Sequence, residues 1–318
     1  MKVALIEPLG VSQEEIEHLA EPLKAQGVEF VSYSDKTTDE DELTRRLEGA
    51  DVAMIANNPL PSQVIASLPD LRMIAVAFTG IDHVGLDVCK KRNITVCNCA
   101  GYSDVSVAEL TLGLTIDVLR KVVVADGVTR NQGTSQGLMG QEIAGRTVGI
   151  VGTGHIGVEV GKRFSAFGAR VLGYARHENP AATAAGIVYT PLDELLAQSD
   201  IVTLHVPLND QTRNSFGRKE FEKMKMGSVF INCARGPIVN TEALVDALSY
   251  GKLAGAGIDV FDGEPPLPKD YALLKAKNTV LTPHVGFLTQ EAMRRRAKIE
   301  FDNVLAWLSG EPTNVCEL

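Results

Sequence analysis

Three side chains that can bind an anion or move a proton stand just past predicted strands in the second half of the chain. Arg235 lies in FINCARGP, Glu264 in DVFDGEPP and His284 in LTPHVGF. An arginine can hold a carboxylate by two parallel hydrogen bonds, and a histidine is the usual proton shuttle near neutral pH. A carboxylate beside the imidazole fixes its tautomer and favours its protonated form. These three residues, here called the catalytic trio, are therefore candidates for acid–base catalysis. The alternatives are a surface ion pair for Arg235 and a structural histidine.

A glycine-rich turn lies between a predicted strand and a predicted helix. Residues 152–157 read GTGHIG, which is the G-x-G-x-x-G pattern. Gly152 permits a tight turn, Gly154 lets a pyrophosphate approach the backbone, and Gly157 lets helix and strand pack closely. His155 and Ile156 open the helix, whose N-terminus offers N–H groups to phosphates. The turn therefore predicts a dinucleotide site; the alternative is a tight turn without a ligand.

The residue expected to bind the cofactor ribose is not an acid. Residues 171–178 read VLGYARHE, so Ala175 and Arg176 stand where a carboxylate normally accepts hydrogen bonds from the ribose. Arg176 can pair with a 2′-phosphate, and a protonated His177 can add to that charge. This favours NADP over NAD. Two alternatives stay open: Arg176 stacks on adenine or points to solvent, or Glu178 partly replaces the acid.

Asp259, in GIDVF, is a further polar residue at a strand end. It is expected either to hydrogen-bond a nicotinamide amide or to cap a turn. The remaining histidines are not candidates for catalysis: His18, His83, His155, His177 and His205.

Bulk properties exclude several classes of protein. The 318 residues are too many for one compact core and predict two domains. A net charge of -9 and a pI near 5.3 argue against a nucleic-acid partner. No run is long and apolar enough for a membrane, and the first residues do not resemble a signal peptide. The odd count of five cysteines then predicts a cytoplasmic protein, and Cys97 with Cys99 make a poor zinc site, so no metal is expected.

The fold class follows from the alternation of apolar runs with helix-period segments. Short β-rich runs recur through residues 3–99 and again from 147 onward, which predicts two units with parallel sheets covered by helices. The segment 104–124 is apolar on nearly every side, so we expect a helix that packs on its own domain and on a second subunit. A central helix of a monomer is the alternative. Pro22 predicts a break in the helix at 12–26.

The whole chain resembles the D-isomer-specific 2-hydroxyacid dehydrogenases. The stretches that carry the resemblance are GIVGTGHIG, HVPLNDQT, FINCARGPIVNTEALVDAL, GAGIDVFDGEP and LTPHVGFLTQEA, in that order. The resemblance implies an α/β fold with a Rossmann dinucleotide-binding domain at 100–285 and a discontinuous, flavodoxin-like substrate domain at 1–99 and 286–318. It also implies a homodimer through the helix at 104–124 and a site between the domains.

The resemblance also implies the residues of the site. The catalytic trio would transfer a proton while hydride passes between the nicotinamide and a small 2-oxo acid, and Arg235 and His284 would also contact that substrate. Phe78, Thr79 and Gly80, here called the substrate loop, would offer backbone N–H groups to the carboxylate. Further cofactor contacts are expected at His205, Pro207, Thr212, Cys233 and Ala234.

Some features depart from the family or leave alternatives open. The loop after the dimer helix lacks the tryptophan often found there. Phe287 is expected either to line an apolar pocket for the substrate side chain or to pack on the terminal helix. Glyoxylate, hydroxypyruvate, pyruvate and bulkier 2-oxo acids are all candidate substrates. A different class of function, an NAD(H)-sensing co-repressor-like scaffold with little catalysis, is the rival hypothesis, which the intact trio disfavours.

Overall fold

The computed structural model describes residues 1–318, which divide into two compact units. Unit 1 comprises residues 1–103 with 288–318, and unit 2 comprises residues 104–287. The sequence analysis placed the corresponding boundaries at 99/100 and 285/286. The chain therefore leaves unit 1 once and returns to it for the last helix.

Unit 1 is built on a five-stranded parallel sheet with the strand order β2-β1-β3-β4-β5. Every residue of β3 and β4 is buried, as expected for strands covered on both faces. The strands are β1 (Lys2–Leu5), β2 (Glu29–Ser32), β3 (Val52–Ile55), β4 (Met73–Val76) and β5 (Thr95–Asn98).

The helices of unit 1, numbered with the others in chain order, are α1 (Gln13–Ala25), α2 (Glu40–Leu47), α3 (Ser62–Ala66), α4 (Leu86–Arg92) and α12 (Gln290–Leu308). Helix α12 begins after Thr289, whose hydroxyl accepts a hydrogen bond from the Ala292 N–H at 3.1 Å. It packs against α1 and β4, so the last helix of the chain completes the core of the first unit.

The predicted break at Pro22 is wrong, because α1 runs unbroken from Gln13 to Ala25. Pro22 lies in the last turn and is exposed, so its ring meets solvent and only one hydrogen bond of the ladder is lost. The buried stripe of Ile16, Ala20 and Leu23 holds the helix on the sheet.

Unit 2 contains a seven-stranded parallel sheet with the order β12-β11-β10-β9-β6-β7-β8. Strand β6 lies between β7 and β9, so the strand order reverses on either side of it, and this is where open α/β sheets bind ligands. The strands are β6 (Thr147–Val151), β7 (Arg170–Tyr174), β8 (Val188–Tyr189), β9 (Ile201–Leu204), β10 (Ser228–Asn232), β11 (Leu253–Ile258) and β12 (Thr279–Leu281).

The helices of unit 2 are α5 (Asp104–Arg120), α6 (Val122–Arg130), α7 (His155–Ala166), α8 (Pro180–Ala184), α9 (Leu192–Gln198), α10 (Arg218–Lys223) and α11 (Thr241–Ser249). Two parallel sheets with covering helices confirm the predicted α/β class. None of the helices combines the length and the hydropathy needed to cross a membrane.

The helix expected over 104–124 is two helices. Lys121 has a left-handed backbone with φ 55°, which ends α5 at Arg120 and starts α6 at Val122. Helix α5 packs on α7, β10 and β11 within unit 2. Helix α6 has no buried residue in the single chain, so the expected burial of this part of the segment against a second subunit stays a prediction.

Candidate active site

His284 and Glu264 form a hydrogen-bonded pair. The imidazole Nδ1 lies 2.9 Å from Oε1 and 3.1 Å from Oε2 of the Glu264 carboxylate. The His284 side chain is 16 % exposed, whereas that of Glu264 is 69 % exposed. Since a carboxylate only accepts, Nδ1 carries the proton of this bond, and Nε2 is the nitrogen left to exchange a proton with a reactant.

The backbone holds the His284 side chain in a fixed place. His284 has a φ of 55°, an uncommon left-handed conformation for a residue other than glycine. Its N–H donates to the carbonyl oxygen of Asp259 at 2.8 Å. The Phe287 ring meets the imidazole edge to face, with 5.4 Å between the ring centroids. The imidazole is therefore oriented by Glu264 at one nitrogen and by an aromatic ring on its side.

Asp259 organises the loop that carries His284. Its buried carboxylate accepts hydrogen bonds from the Thr282 hydroxyl at 2.6 Å and from the Val285 and Gly286 N–H groups at 2.9 and 2.8 Å. Burial raises the pKa of the Asp259 carboxyl above its usual range, although these three donors act in the opposite direction. The side chain thus caps the loop, and its contact with a nicotinamide amide stays a prediction.

Arg235 follows β10 in a loop that is held in place by hydrogen bonds and by close packing. The buried Asn232 side chain accepts from the Ala234 N–H at 3.0 Å and donates to the Arg235 carbonyl at 3.1 Å. At Gly236 a Cβ would lie 1.8 Å from the Phe261 carbonyl oxygen, so only glycine fits there. The loop that contains Arg235 therefore packs closely against the loop that leads to Glu264.

The three members of the catalytic trio lie at one edge of the seven-stranded sheet. Strands β10, β11 and β12 are neighbours and run parallel, so their carboxyl ends meet at this edge. Arg235 follows β10, Glu264 follows β11 and His284 follows β12. A site with an anion-binding guanidinium and a carboxylate-oriented imidazole is suited to proton exchange with a small acid.

The glycine turn between β6 and α7 has the geometry that a dinucleotide requires. Gly152 has a φ of 101°, and a Cβ there would lie 2.4 Å from the His205 carbonyl oxygen. A Cβ on Gly157 would lie 2.1 Å from the Gly152 carbonyl oxygen, so this glycine allows the close packing of helix and strand. Around Gly154 no atom lies within 4 Å of a Cβ position. The open space at the N-terminus of α7 fits a pyrophosphate.

The other predicted cofactor residues lie around this turn or at nearby strand ends. His155 is exposed and Ile156 is half-buried at the start of α7. After β9, the His205 ring bonds the Thr203 hydroxyl at 2.9 Å, and burial lowers the pKa of His205 to about 3. Thr212 donates to the Pro207 carbonyl at 2.6 Å and so closes the same loop. Their contacts with a dinucleotide stay predictions.

Cys233 and Ala234 follow β10. Burial raises the pKa of the Cys233 thiol to about 12, so the side chain stays a neutral thiol. Cys89, Cys97 and Cys99 are buried as well, and Cys316 is half-buried.

The end of β7 presents Ala175 and Arg176 beside the glycine turn. Ala175 is half-buried, whereas Arg176, His177 and Glu178 are exposed. The guanidinium of Arg176 donates to the Gln211 side-chain oxygen at 2.6 Å. Gln211 was missed by the sequence analysis although it lies in the HVPLNDQT stretch beside Thr212, because its contact with Arg176 joins two separate loops.

The substrate loop lies in unit 1, directly after β4. The Asn98 side chain donates to the Thr79 carbonyl at 2.8 Å, and the Cys99 N–H donates to the Phe78 carbonyl at 2.9 Å. In a trans peptide the carbonyl and the following N–H point in opposite directions, so Asn98 turns the Gly80 N–H away from itself. The sequence analysis missed Asn98. Its position as a polar residue at the end of β5 was the signal that could have pointed to it.

Comparison with known proteins gives consistent findings. Residues 112–286 match the family model described as D-isomer specific 2-hydroxyacid dehydrogenase, NAD binding domain. The chain is 38 % identical to a glyoxylate reductase of Thermofilum pendens over 279 residues, which cover 85 % of this chain and 82 % of the relative. It is 38 % identical to a glycerate dehydrogenase of Methylorubrum extorquens over 299 residues, which cover 91 % and 92 % of the two chains.

Solved structures share the fold over essentially the full length. An acyclic imino acid reductase in complex with NADPH and D-arginine superposes with a TM-score of 0.89 at 27 % identity, and 100 % of both chains is covered. A D-lactate dehydrogenase from Aquifex aeolicus, complexed with NAD and lactic acid, gives a TM-score of 0.84 at 30 % identity, with 97 % of this chain and 96 % of that chain covered.

Proposed function

Because the chain belongs to the D-isomer specific 2-hydroxyacid dehydrogenases, we propose that Arg235, Glu264 and His284 carry its reaction. The predicted family is thereby confirmed, and the protein is an NAD(P)-dependent oxidoreductase that interconverts 2-hydroxy acids and 2-oxo acids. The observation that supports the choice of residues is the 2.9 Å hydrogen bond between His284 and Glu264. Arg235 follows β10, whose carboxyl end lies at the same edge of the sheet as those of β11 and β12.

Each residue of the trio has a distinct task in this proposal. The bound nicotinamide supplies or accepts the reducing equivalents. Arg235 binds the substrate carboxylate by two parallel hydrogen bonds and polarises the adjacent carbonyl. His284 donates a proton from Nε2 to the carbonyl oxygen during reduction and takes one from the hydroxyl during oxidation. Glu264 holds the Nδ1 proton and so keeps Nε2 directed at the substrate.

The dinucleotide is held by the glycine turn in this proposal. The N–H groups at the start of α7 bind the pyrophosphate above Gly154, where the structure leaves open space. The substrate loop supplies N–H groups to the substrate carboxylate, and Asn98 supports this role because it bonds the Thr79 carbonyl.

The test of the function is turnover of NADPH or NADH with glyoxylate, hydroxypyruvate, pyruvate and a branched 2-oxo acid. We expect His284→Ala to lower kcat at least about a hundredfold, as loss of a general acid does. The exposed His18 of unit 1 provides a control, and His18→Ala should keep the wild-type kcat. Binding of the dinucleotide without turnover of any acid would instead support the scaffold hypothesis.

We propose further that the protein prefers NADP(H). Ala175 removes the carboxylate that would repel a 2′-phosphate, and the bond to Gln211 holds the Arg176 guanidinium at this strand end. A 2′-phosphate offers Arg176 an ion pair that the neutral 2′-hydroxyl of NAD cannot give.

The same proposal includes a homodimer formed through α5 and α6. Helix α6 is nine residues long and has no buried side chain, and Val122, Val123 and Val124 are 45, 58 and 55 % exposed. A helix this short is marginal in water without packing. A second copy of the chain provides the apolar surface that these valines lack.

A further inference from the structure

A buried cation lies in unit 1 behind the substrate loop. Arg296 of α12 is only 5 % exposed. Its Nε and Nη2 both donate to the Leu9 carbonyl, at 3.0 and 2.7 Å. Its guanidinium carbon lies 5.4 Å from the centroid of the Phe78 ring. One side chain of the last helix therefore contacts both the loop after β1 and the first residue of the substrate loop.

The neighbourhood of this cation is unusual for a core. Glu300, one helical turn further along α12, is fully buried, and neither of its carboxyl oxygens has a hydrogen-bond partner of normal geometry. Burial raises the pKa of the Glu300 carboxyl well above its usual range, while the charge of Arg296 acts in the opposite direction and that of Glu7 in the same direction. The cluster therefore places the carboxyl groups of Glu7 and Glu300 within electrostatic reach of the Arg296 guanidinium.

Stability alone does not account for a buried arginine at this place. Replacing a whole buried ion pair by apolar residues of similar volume is often neutral or stabilising, since both charges must be taken out of water. If α12 only packed against α1 and β4, an apolar side chain at position 296 would be sufficient. The contacts that distinguish arginine from such a residue are the paired bonds to Leu9 and the charge over the Phe78 ring.

We propose that Arg296 is a positioning residue for the substrate, which it serves by fixing the Phe78 ring and thereby the direction of the Thr79 and Gly80 N–H groups. The inference rests on the proposed role of the substrate loop in binding the carboxylate. The loop is then held twice, by Arg296 at the Phe78 ring and by Asn98 at the Thr79 carbonyl. A displacement of about 1 Å in a group that positions the substrate can cost on the order of a hundredfold in activity.

The test compares Arg296→Met with Arg296→Lys. Methionine keeps the length and apolar volume but has no charge and no donor. We expect Arg296→Met to raise the KM for the preferred 2-oxo acid at least about tenfold, and to weaken by a similar factor the binding of oxamate, an unreactive 2-oxo acid analogue. The lysine variant keeps the charge and one donor for Leu9, so it should recover part of the affinity.

Two readouts separate positioning from loss of structure. The dissociation constant for the dinucleotide should stay within about twofold of wild type in both variants, because the glycine turn lies in unit 2. Glu300→Gln is the matched control: it alters the same buried cluster, leaves the contacts of Arg296 intact, and should keep the wild-type KM. The thermal midpoint of each variant verifies that it is folded.

A wild-type KM and oxamate affinity in folded Arg296→Met, or an equal loss of affinity in Glu300→Gln, would overturn the inference. Failure of the proposed function gives a different result. In that case the wild-type protein reduces none of the 2-oxo acids, and the oxamate dissociation constants of the wild-type and variant proteins still decide the role of Arg296.

Discussion

At the scale of single residues, Asp259 places the loop that carries the proposed general acid. Its carboxylate takes the N–H groups of Val285 and Gly286, and its carbonyl takes that of His284. We predict that Asp259→Asn lowers kcat at least about tenfold, because an amide replaces one of the accepting oxygens with a donor and the loop shifts. Steady-state kinetics with saturating dinucleotide measure this, and an unchanged kcat would show that the loop holds His284 without the carboxylate.

Arg176 gives the prediction for cofactor choice. Arg176→Ala should lower kcat/KM for NADPH at least about tenfold and leave kcat/KM for NADH within about twofold, because only the 2′-phosphate interacts with the guanidinium. Arg170 begins the same strand at its opposite end and is exposed, so Arg170→Ala is the matched control. Equal losses with both cofactors would place Arg176 on a part that they share.

His205 gives a prediction about pH and stability. In the unfolded chain its imidazole titrates near 6.5, whereas burial lowers the pKa to about 3 in the folded protein. Between these values the unfolded chain binds a proton that the folded protein does not, so stability is present above pH 6.5 and is lost as the pH falls towards 3. The loss is up to about 1.4 kcal/mol per pH unit.

His205→Gln removes this titration. Urea unfolding at pH 7.5, 6.5, 5.5 and 4.5, without dinucleotide, should therefore show a shallower decline in unfolding free energy for the variant than for the wild-type protein. Parallel declines would mean that His205 is protonated in the folded state over this range.

The candidate residues of the site were named from the sequence, but the residues that hold them in place were not. The sequence predicted that Glu264 meets His284, because both stand past strand ends in recognisable motifs, and the structure places them 2.9 Å apart. Asn98 and Arg296 could not be found in this way. Asn98 contacts Thr79, and Arg296 contacts Leu9 and Phe78, so these contacts depend on how distant segments of unit 1 pack.

At the scale of elements, the recurring apolar runs predicted strands in both units, but they did not predict β8. Strand β8 has two residues, too few for any periodic pattern. The errors at Pro22 and at Lys121 have opposite causes. Tertiary packing kept a helix that contains a proline, and a single left-handed residue divided a segment that local hydropathy made continuous.

The division at Lys121 leaves α6 as the element to test for dimer formation. We predict that Val123→Glu converts a dimer of 34.2 kDa chains to a monomer, because a charge placed in an apolar interface is costly to desolvate. Light scattering coupled to size-exclusion chromatography gives the mass. Val188→Glu is the control, since Val188 is 55 % exposed against 58 % for Val123 and lies on β8. A wild-type monomer, or a Val123→Glu dimer, would contradict the proposed interface.

At the scale of the whole molecule, the continuity of unit 2 allows this unit to be tested apart from unit 1. Residues 104–287 form one uninterrupted segment with its own buried core, and they contain the glycine turn and the catalytic trio. We predict that this segment folds alone and binds NADPH within about tenfold of the affinity of the full chain, but reduces no 2-oxo acid because the substrate loop is missing. Circular dichroism and nucleotide fluorescence measure folding and binding. An unfolded segment would show that unit 2 depends on unit 1.

The open space at Gly154 provides a way to measure how much a bound cofactor stabilises the protein. A methyl group there would meet no atom of the protein within 4 Å, yet it would occupy the volume that the pyrophosphate needs. Gly154→Ala should therefore yield a folded, permanently nucleotide-free reference whose melting temperature does not respond to added NADPH. The melting temperature of the wild-type protein should rise with the logarithm of nucleotide concentration. Its difference from the melting temperature of the variant would give the stabilisation due to the bound nucleotide.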